Sequence, residues 1–205
     1  QPPPGGASPP GGLGTALRPV LGNTGGRWLG WPGTEEPVLE GFEADGLHLE
    51  PVHLDAEDLE LYYEGFANGT LWPLYHDKIH VPEFHRTWWR RYVDVNRRFA
   101  RRAAEVTPEG GAVWIHDYHL SLAPGLSRSL RPDLNLGYFL HIPFPPMELF
   151  AQLPWRRELL MGMLGADAVG FQTTYGARNF RAVARRYAGL RTQGSHVFDG
   201  DREVL

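Results

Sequence analysis

Two short apolar runs in this chain end in side chains that can donate, accept and titrate. Val113 to His119 reads Val-Trp-Ile-His-Asp-Tyr-His and closes in His116, Asp117 and His119. Gly137 to Pro146 reads Gly-Tyr-Phe-Leu-His-Ile-Pro-Phe-Pro-Pro and delivers His141 to a rigid loop. Asp117 is the one carboxylate of this set, and a carboxylate accepts hydrogen bonds while an imidazole can accept or donate. With Trp72, Tyr75 and His76 in a dense aromatic stretch, the mixture suits a sugar- or phosphate-binding edge; in a sugar site polar tips bind hydroxyls and aromatic faces cover the apolar side of a ring. For Trp72, Tyr75 and His76 core packing competes with that role. His116 and His119 lack a second acidic ligand beside Asp117, and no His-Glu-x-x-His spacing occurs, so no metal is expected. The phosphate loop, the dinucleotide-binding Gly-x-Gly-x-x-Gly and the Gly-x-Ser-x-Gly nucleophile elbow are all missing from the sequence.

The elements that carry these residues follow from hydrophobic periodicity. Tyr138, Phe139, Leu140 and Ile142 suit a strand covered on both faces, which Pro143, Pro145 and Pro146 must end because proline cannot donate to a ladder. Further strands are expected at Arg27 to Trp31, Gly46 to Leu54, Val113 to Ile115, Ala168 to Phe171 and His196 to Phe198. Asp55-Ala-Glu-Asp58 opens a helix through Tyr63, and the aromatics of Phe66 to His76 surround a turn. Pro82 suits the first turn of an Arg-rich helix reaching about Ala104, with Trp88, Tyr92, Val95 and Phe99 turned inward. Helices also follow at Pro124 to Leu130, Met147 to Leu164 with a break near Pro154, and Tyr175 to Tyr187. Alternating strands and helices predict an α/β fold, a doubly wound parallel sheet whose ligands bind at the carboxyl ends of the strands.

The N-terminal residues 1–10 are too rich in Pro and Gly for regular structure and read as a flexible loop, followed by a domain over 11–205. Gly11-Gly12 precedes a helix-like segment at Thr15 to Leu21, so its amides could meet a phosphate, although on the pair alone a plain glycine turn is the favoured reading. With 205 residues and 42% hydrophobic content the chain can build a full core, and one domain is the default. A formal charge of -4 argues against nucleic acid as a partner. The Arg90, Arg91, Arg97, Arg98, Arg101 and Arg102 face reads as solvated, with a phosphate or partner patch as the sharper option. No run is long enough to span a bilayer, and the absence of cysteine permits a cytoplasmic home. Lys78 is the only lysine, a bias that with abundant Gly, Ala and Pro hints at a GC-rich bacterial gene.

Four motifs together resemble the trehalose-6-phosphate synthase family. They are Trp114-Ile-His-Asp-Tyr-His119, Gly137 to Pro146, Gly165-Ala-Asp-Ala-Val-Gly-Phe-Gln172, and Tyr62-Tyr-Glu-Gly-Phe-Ala-Asn-Gly-Thr-Leu-Trp-Pro-Leu-Tyr-His76. The resemblance implies a retaining glycosyltransferase of the GT-B type, built from two facing Rossmann-like domains, with this chain similar to the N-terminal, acceptor-side domain. It implies glucosyl transfer from a nucleoside diphosphate glucose (UDP-, GDP- or ADP-glucose) to glucose-6-phosphate, with no cofactor beyond these substrates. Position by position, it places Gly11 and Gly12 at the donor's diphosphate and sugar, Tyr63 and Trp72 at glucose-6-phosphate, Asp117 at the acceptor and His141 beside the donor glucose. Asp117 and His141 are thus the catalytic pair it implies, while His116, His119 and Tyr75 keep a structural role.

Two family features have no counterpart. An Asn-Arg motif on a first strand would precede Gly11, and a C-terminal domain would supply the Arg, Lys and acidic residues that hold the donor. The resemblance therefore implies a segment incomplete for activity alone. A pseudo-glycosyltransferase that couples cyclitols, or a non-catalytic sugar-phosphate-binding domain, would share the same motifs. Trp88, Trp89 and Trp155 suit a core or an interface, which leaves a homo-oligomer open.

Overall fold

The computed structural model describes residues 19, 25–34, 40–44, 47–77 and 82–205. The loop expected at 1–10, the glycine pair Gly11 and Gly12, and the helix expected at 15–21 apart from Pro19 lie outside the described residues. Contacts divide the chain into two compact units, Gln1–Asp55 and Ala56–Leu205.

In the first unit, β1 (Arg27–Gly30) pairs in parallel with β3 (Leu47–Pro51), and β2 (Phe42–Ala44) pairs antiparallel on the other side of β3. Both strands expected here are present, whereas β2 was not foreseen. Glu50 on β3 is buried, and its charge is met by Arg27 and by His48 Nε2 at 3.0 Å.

The second unit opens with three helical segments that follow without a break: α1 (Ala56–Asp58), α2 (Leu59–Leu71) and α3 (Trp72–Tyr75). α2 is wound wide, the Trp72 N–H donating to the Ala67 carbonyl five residues back. The turn expected around Phe66 to His76 is therefore helix. Its local breakers are overridden by packing: a Cβ on Gly65 would come within 2.8 Å of the Trp88 ring, so only a glycine lets the next helix approach this closely.

That next helix, α4 (Arg86–Val106), begins after His85, so Pro82 precedes the first turn instead of sitting in it. Tyr92 and Val95 face fully inward, as the periodicity predicts. The Arg face is only partly solvated. Arg91 Nε lies 2.9 Å and Arg98 Nη2 2.5 Å from Oδ1 of the buried Asp58, tying α4 to α1.

The strands β4 (Ala112–His116), β5 (Asn135–Leu140) and β6 (Ala168–Phe171) form a parallel sheet in that order. On β5 the side chains of Leu136, Tyr138 and Leu140 are buried, while Phe139 on the opposite face is half-buried and lies over Gly170 of β6. The strand is thus fully covered on one face only. Between the strands come α5 (Ala123–Leu130), α6 (Met147–Phe150) and α7 (Arg156–Met163), with α5 packed against both α4 and α7. The turn after α7 meets α5 very closely: a Cβ on Gly165 would lie 2.2 Å from the Gly125 Cα.

After β6, α8 (Thr174–Val183) is capped by the Thr173 hydroxyl, which accepts from the Gly176 N–H at 3.2 Å. The strand expected at His196 to Phe198 exists but does not join the parallel sheet. It is the centre of an antiparallel meander, β7 (Arg191–Gln193), β8 (His196–Asp199) and β9 (Arg202–Val204), whose turns use Gly194 at φ 57° and Gly200 at φ 62°. Leu205 then comes alongside β6, its N–H donating to the Asp167 carbonyl at 3.0 Å and its carbonyl accepting from Val169 at 2.8 Å.

Candidate functional site

Parallel pairing sets His116, the last residue of β4, opposite Phe139 of β5, so the residues that follow each strand emerge at one edge. Asp117 and His141 meet there. Asp117 holds φ 70° and ψ 167°, a conformation that is almost confined to glycine and costs another residue about 1–3 kcal/mol. The surroundings over-determine it. Its N–H donates to the Phe139 carbonyl at 2.8 Å, and its own carbonyl accepts from the Tyr138 hydroxyl and the Leu120 N–H, both at 3.1 Å. Its Oδ1 accepts from the N–H groups of Tyr118 at 2.9 Å and His141 at 3.3 Å. Both main-chain donors converge on one carboxylate oxygen, and among the described residues Oδ2 has no hydrogen-bond partner, so it is able to accept from a ligand.

The two imidazoles at the edge are also joined, His116 Nδ1 lying 3.0 Å from His141 Nε2. Burial and the neighbouring His141 push the His116 pKa down to about 4, against the opposing pull of Asp117, so this ring is neutral near pH 7. His119 is likewise pushed down to about 4 by burial, and its Nε2 has no hydrogen-bond partner among the described residues. On its face lies Tyr63, stacked at 5.2 Å between ring centres and 38% exposed. The structure thus gathers Asp117, His141, His116, His119 and Tyr63 into one neighbourhood.

The loop that carries Asp117 and His119 is held from α4. The Tyr92 hydroxyl donates to the Tyr118 carbonyl at 2.6 Å and accepts from the Ser121 N–H at 3.0 Å. The Asn96 amide donates to the His119 carbonyl at 3.0 Å, and its oxygen accepts from Leu122 at 3.1 Å and Ala123 at 3.0 Å. From α2, the Tyr62 hydroxyl donates to the same His119 carbonyl at 3.2 Å, and Asn68 Oδ1 accepts from the Tyr118 hydroxyl at 3.0 Å.

Trp72 is half-buried, and its ring lies 4.4 Å from that of His76, whose Nδ1 is 2.8 Å from the Trp72 carbonyl. Tyr75 is buried against Phe144 and Phe150, in keeping with a structural role. Among the described residues no three His, Asp or Glu side chains are grouped to hold a metal ion. The edge therefore offers a neutral imidazole, a fixed carboxylate and an exposed aromatic face, a set suited to hydroxyl groups.

Residues 7–205 match the family model described as glycosyltransferase family 20. The chain belongs to glycosyltransferase family 20. Among curated relatives of this family 20 chain, the trehalose-6-phosphate synthase of Mycolicibacterium vanbaalenii is 55% identical over 194 residues, covering 92% of this chain and 40% of that protein. The alpha,alpha-trehalose-phosphate synthase (UDP-forming) structure from Burkholderia vietnamiensis superposes with a TM-score of 0.87 at 31% identity, over 95% of this chain and 42% of that one. An E. coli relative bound with UDP-2-fluoro glucose gives 0.87 at 30% identity, over 97% of this chain and 45% of that one. The family 20 chain therefore spans well under half the length of the relatives it matches. The α/β fold with its parallel sheet is that of the N-terminal part of these GT-B proteins.

Sequence reasoning passed over Asn96, Asn68, Tyr92 as a clamp, and Tyr118. Asn96 left one usable signal, a lone amide in the inward stripe of α4 four residues after Tyr92, with no exposed surface. Asn68 was masked by the apparent Asn-Gly turn, and its bond to Tyr118 spans 50 residues, beyond any local pattern. No helix among the described residues is long and apolar enough to cross a membrane.

Proposed function

We propose that this segment is the acceptor-side half of an enzyme that transfers glucose from a nucleoside diphosphate glucose to glucose-6-phosphate, giving trehalose-6-phosphate with retention of configuration. Family membership and the names of its relatives support the reaction; the observation that carries it to this chain is the Asp117 and His141 pairing, with Oδ2 of Asp117 left open. In this reading Asp117 Oδ2 accepts a hydroxyl of glucose-6-phosphate, Tyr63 and Trp72 flank the acceptor, and His141 contacts the donor glucose. Gly11 and Gly12 would meet the diphosphate. No metal or other cofactor is required, and the phosphorylated substrates suit a cytoplasmic setting.

Retention would arise by front-face attack. The acceptor hydroxyl oxygen forms the new bond to the anomeric carbon on the side from which the nucleoside diphosphate leaves, and the departing phosphate oxygen takes the hydroxyl proton. The protein then contributes position and electrostatics, not a covalent nucleophile. Asp117 serves that role well, since its backbone and Oδ1 are pinned before any ligand arrives. The test is turnover of glucose-6-phosphate by the complete gene product with UDP-, GDP- and ADP-glucose in turn, following both nucleotide release and the disaccharide phosphate. Formation of trehalose-6-phosphate supports the reading and names the donor; tight binding with no transfer would replace it with a regulatory sugar-phosphate domain.

A further inference from the structure

We infer that His116 is a positioning residue that fixes the tautomer of His141, so that His141 presents Nδ1 as a hydrogen-bond acceptor and selects a ligand hydroxyl that must donate. The inference rests on the reading that His141 meets the donor glucose, and it states which kind of group His141 can recognise there.

The geometry leaves two arrangements. His116 Nδ1 and His141 Nε2 are 3.0 Å apart, so one hydrogen lies between them. Either His116 donates from Nδ1, or His141 donates from Nε2. In the first arrangement, with one hydrogen on each ring, both carry it on Nδ1, His116 because it donates there and His141 because its Nε2 is accepting. In the second, both carry it on Nε2, which is the form a neutral imidazole prefers in water. The second arrangement therefore needs no unfavourable tautomer in either ring, and the hydrogen bond made by one nitrogen dictates the state of the other.

Two surrounding features strengthen this choice. Burial and His141 hold His116 neutral near pH 7, so one of its two ring nitrogens has no hydrogen, as accepting at Nδ1 requires. His116 also packs at 4.8 Å on Trp114, and the His141 ring at 4.7 Å on Phe139, so both rings are held in the planes that make the contact. The His141 main chain is fixed by its bond to Asp117 Oδ1. Nδ1 of His141 then has no partner among the described residues, and it carries a lone pair and no hydrogen. Such an atom binds a hydroxyl that donates; toward a phosphate oxygen, which only accepts, it is repulsive. The same two strand ends thus separate the hydroxyl-bearing part of a sugar nucleotide from its charged part.

Solid-state nitrogen NMR of the complete gene product labelled at histidine, without ligand, reads the tautomer directly. His141 Nδ1 is expected to be of the pyridine type and Nε2 of the pyrrole type. In His116→Phe the His141 signals should shift toward a mixture of tautomers, while His116→Asn, whose side-chain oxygen can stand where Nδ1 stood, should restore the native pattern. A pyrrole-type Nδ1 in the unsubstituted protein overturns the inference and leaves the transfer reaction untouched, whereas a pyridine-type Nδ1 in a protein without turnover upholds the assignment and removes the reaction.

Kinetics provide the second readout. When each donor hydroxyl is replaced in turn by hydrogen or by fluorine, one position should lose about fivefold to tenfold in kcat/KM with either replacement, because fluorine accepts but cannot donate. At that position His116→Phe should narrow the gap between the hydroxyl and fluorine donors, and His116→Asn should reopen it. Fluorine performing as well as the hydroxyl at every position would show that His141 accepts from no donor hydroxyl, and would end the proposal.

Discussion

Asp117 Oδ1 accepts the main-chain N–H of His141 at 3.3 Å, joining the ends of two neighbouring parallel strands through a side chain after the ladder itself has stopped. The same oxygen takes the Tyr118 N–H, so the carboxylate organises the edge as well as facing it. Asp117→Asn can keep Oδ1 on these donors, but it puts an NH2 group where Oδ2 accepted. We expect this variant to lose less than about 1 kcal/mol of stability, and Asp117→Ala, which strands both N–H groups, to lose about 1–3 kcal/mol. Turnover by the complete product should fall at least about tenfold in both, the loss of a charge-assisted contact being worth at least that much. Urea melts and initial rates check this, and an Asn variant with native rates would remove Asp117 from the ligand site.

Tyr63 stacks on His119 yet is 38% exposed, so its ring is poorly placed to support the core. Tyr63→Ala is expected to change stability by less than about 1 kcal/mol. Glucose-6-phosphate KM should rise several-fold while KM for the donor stays level. A large drop in melting temperature with unaltered KM would make the ring a structural one.

His116 and His119 bind a proton in the folded state only below about 4, against an ordinary value of 6.5. Between those values the unfolded chain holds more protons than the native one, so stability rises with pH across the window and is lost as pH falls through it. The urea midpoint should therefore decline from pH 7 to pH 4. His119→Phe removes the more deeply buried of the two and should flatten the decline. An unchanged slope would assign the acid sensitivity to other groups.

Gly165 faces α5 so closely that a Cβ would lie 2.2 Å from Gly125 Cα and 2.3 Å from its nitrogen. Backbone cannot move aside as a side chain can, so Gly165→Ala should cost at least about 1–3 kcal/mol by overpacking. A thermal melt within a degree of the unsubstituted protein would show that the contact between α5 and the turn after α7 is looser than this.

What could be read from sequence was local. The strands ending at His116 and Leu140, and Ala168 to Phe171, appear where an apolar run meets polar or proline punctuation. The helix from Phe66 to Tyr75 is not legible locally, because Asn68-Gly69 and Pro73 speak for a turn and what decides for helix is the Trp88 ring on another helix. The meander was visible in part, since Gly194 and Gly200 mark its turns, but its separation from the parallel sheet depends on pairings between neighbours. At the candidate site, residue types and strand ends single out Asp117 and His141 as candidates, and the fold brings the two together. The bond between His116 and His141 depends on the register of two strands 25 residues apart, which no spacing encodes.

The hold that Tyr92 and Asn96 keep on the loop after β4 has an evolutionary consequence. The amides of Asp117, Tyr118, Leu120, Ser121, Leu122 and Ala123 are all engaged with other protein groups, several through these two side chains of α4. A loop whose main chain is anchored largely from behind does not need those outward tips that hold no main-chain group, such as the His119 ring, to stay folded, whereas Asp117 both anchors the loop and faces outward. Those tips can be exchanged one at a time under selection for a different acceptor, while the scaffold that aims them is inherited unchanged.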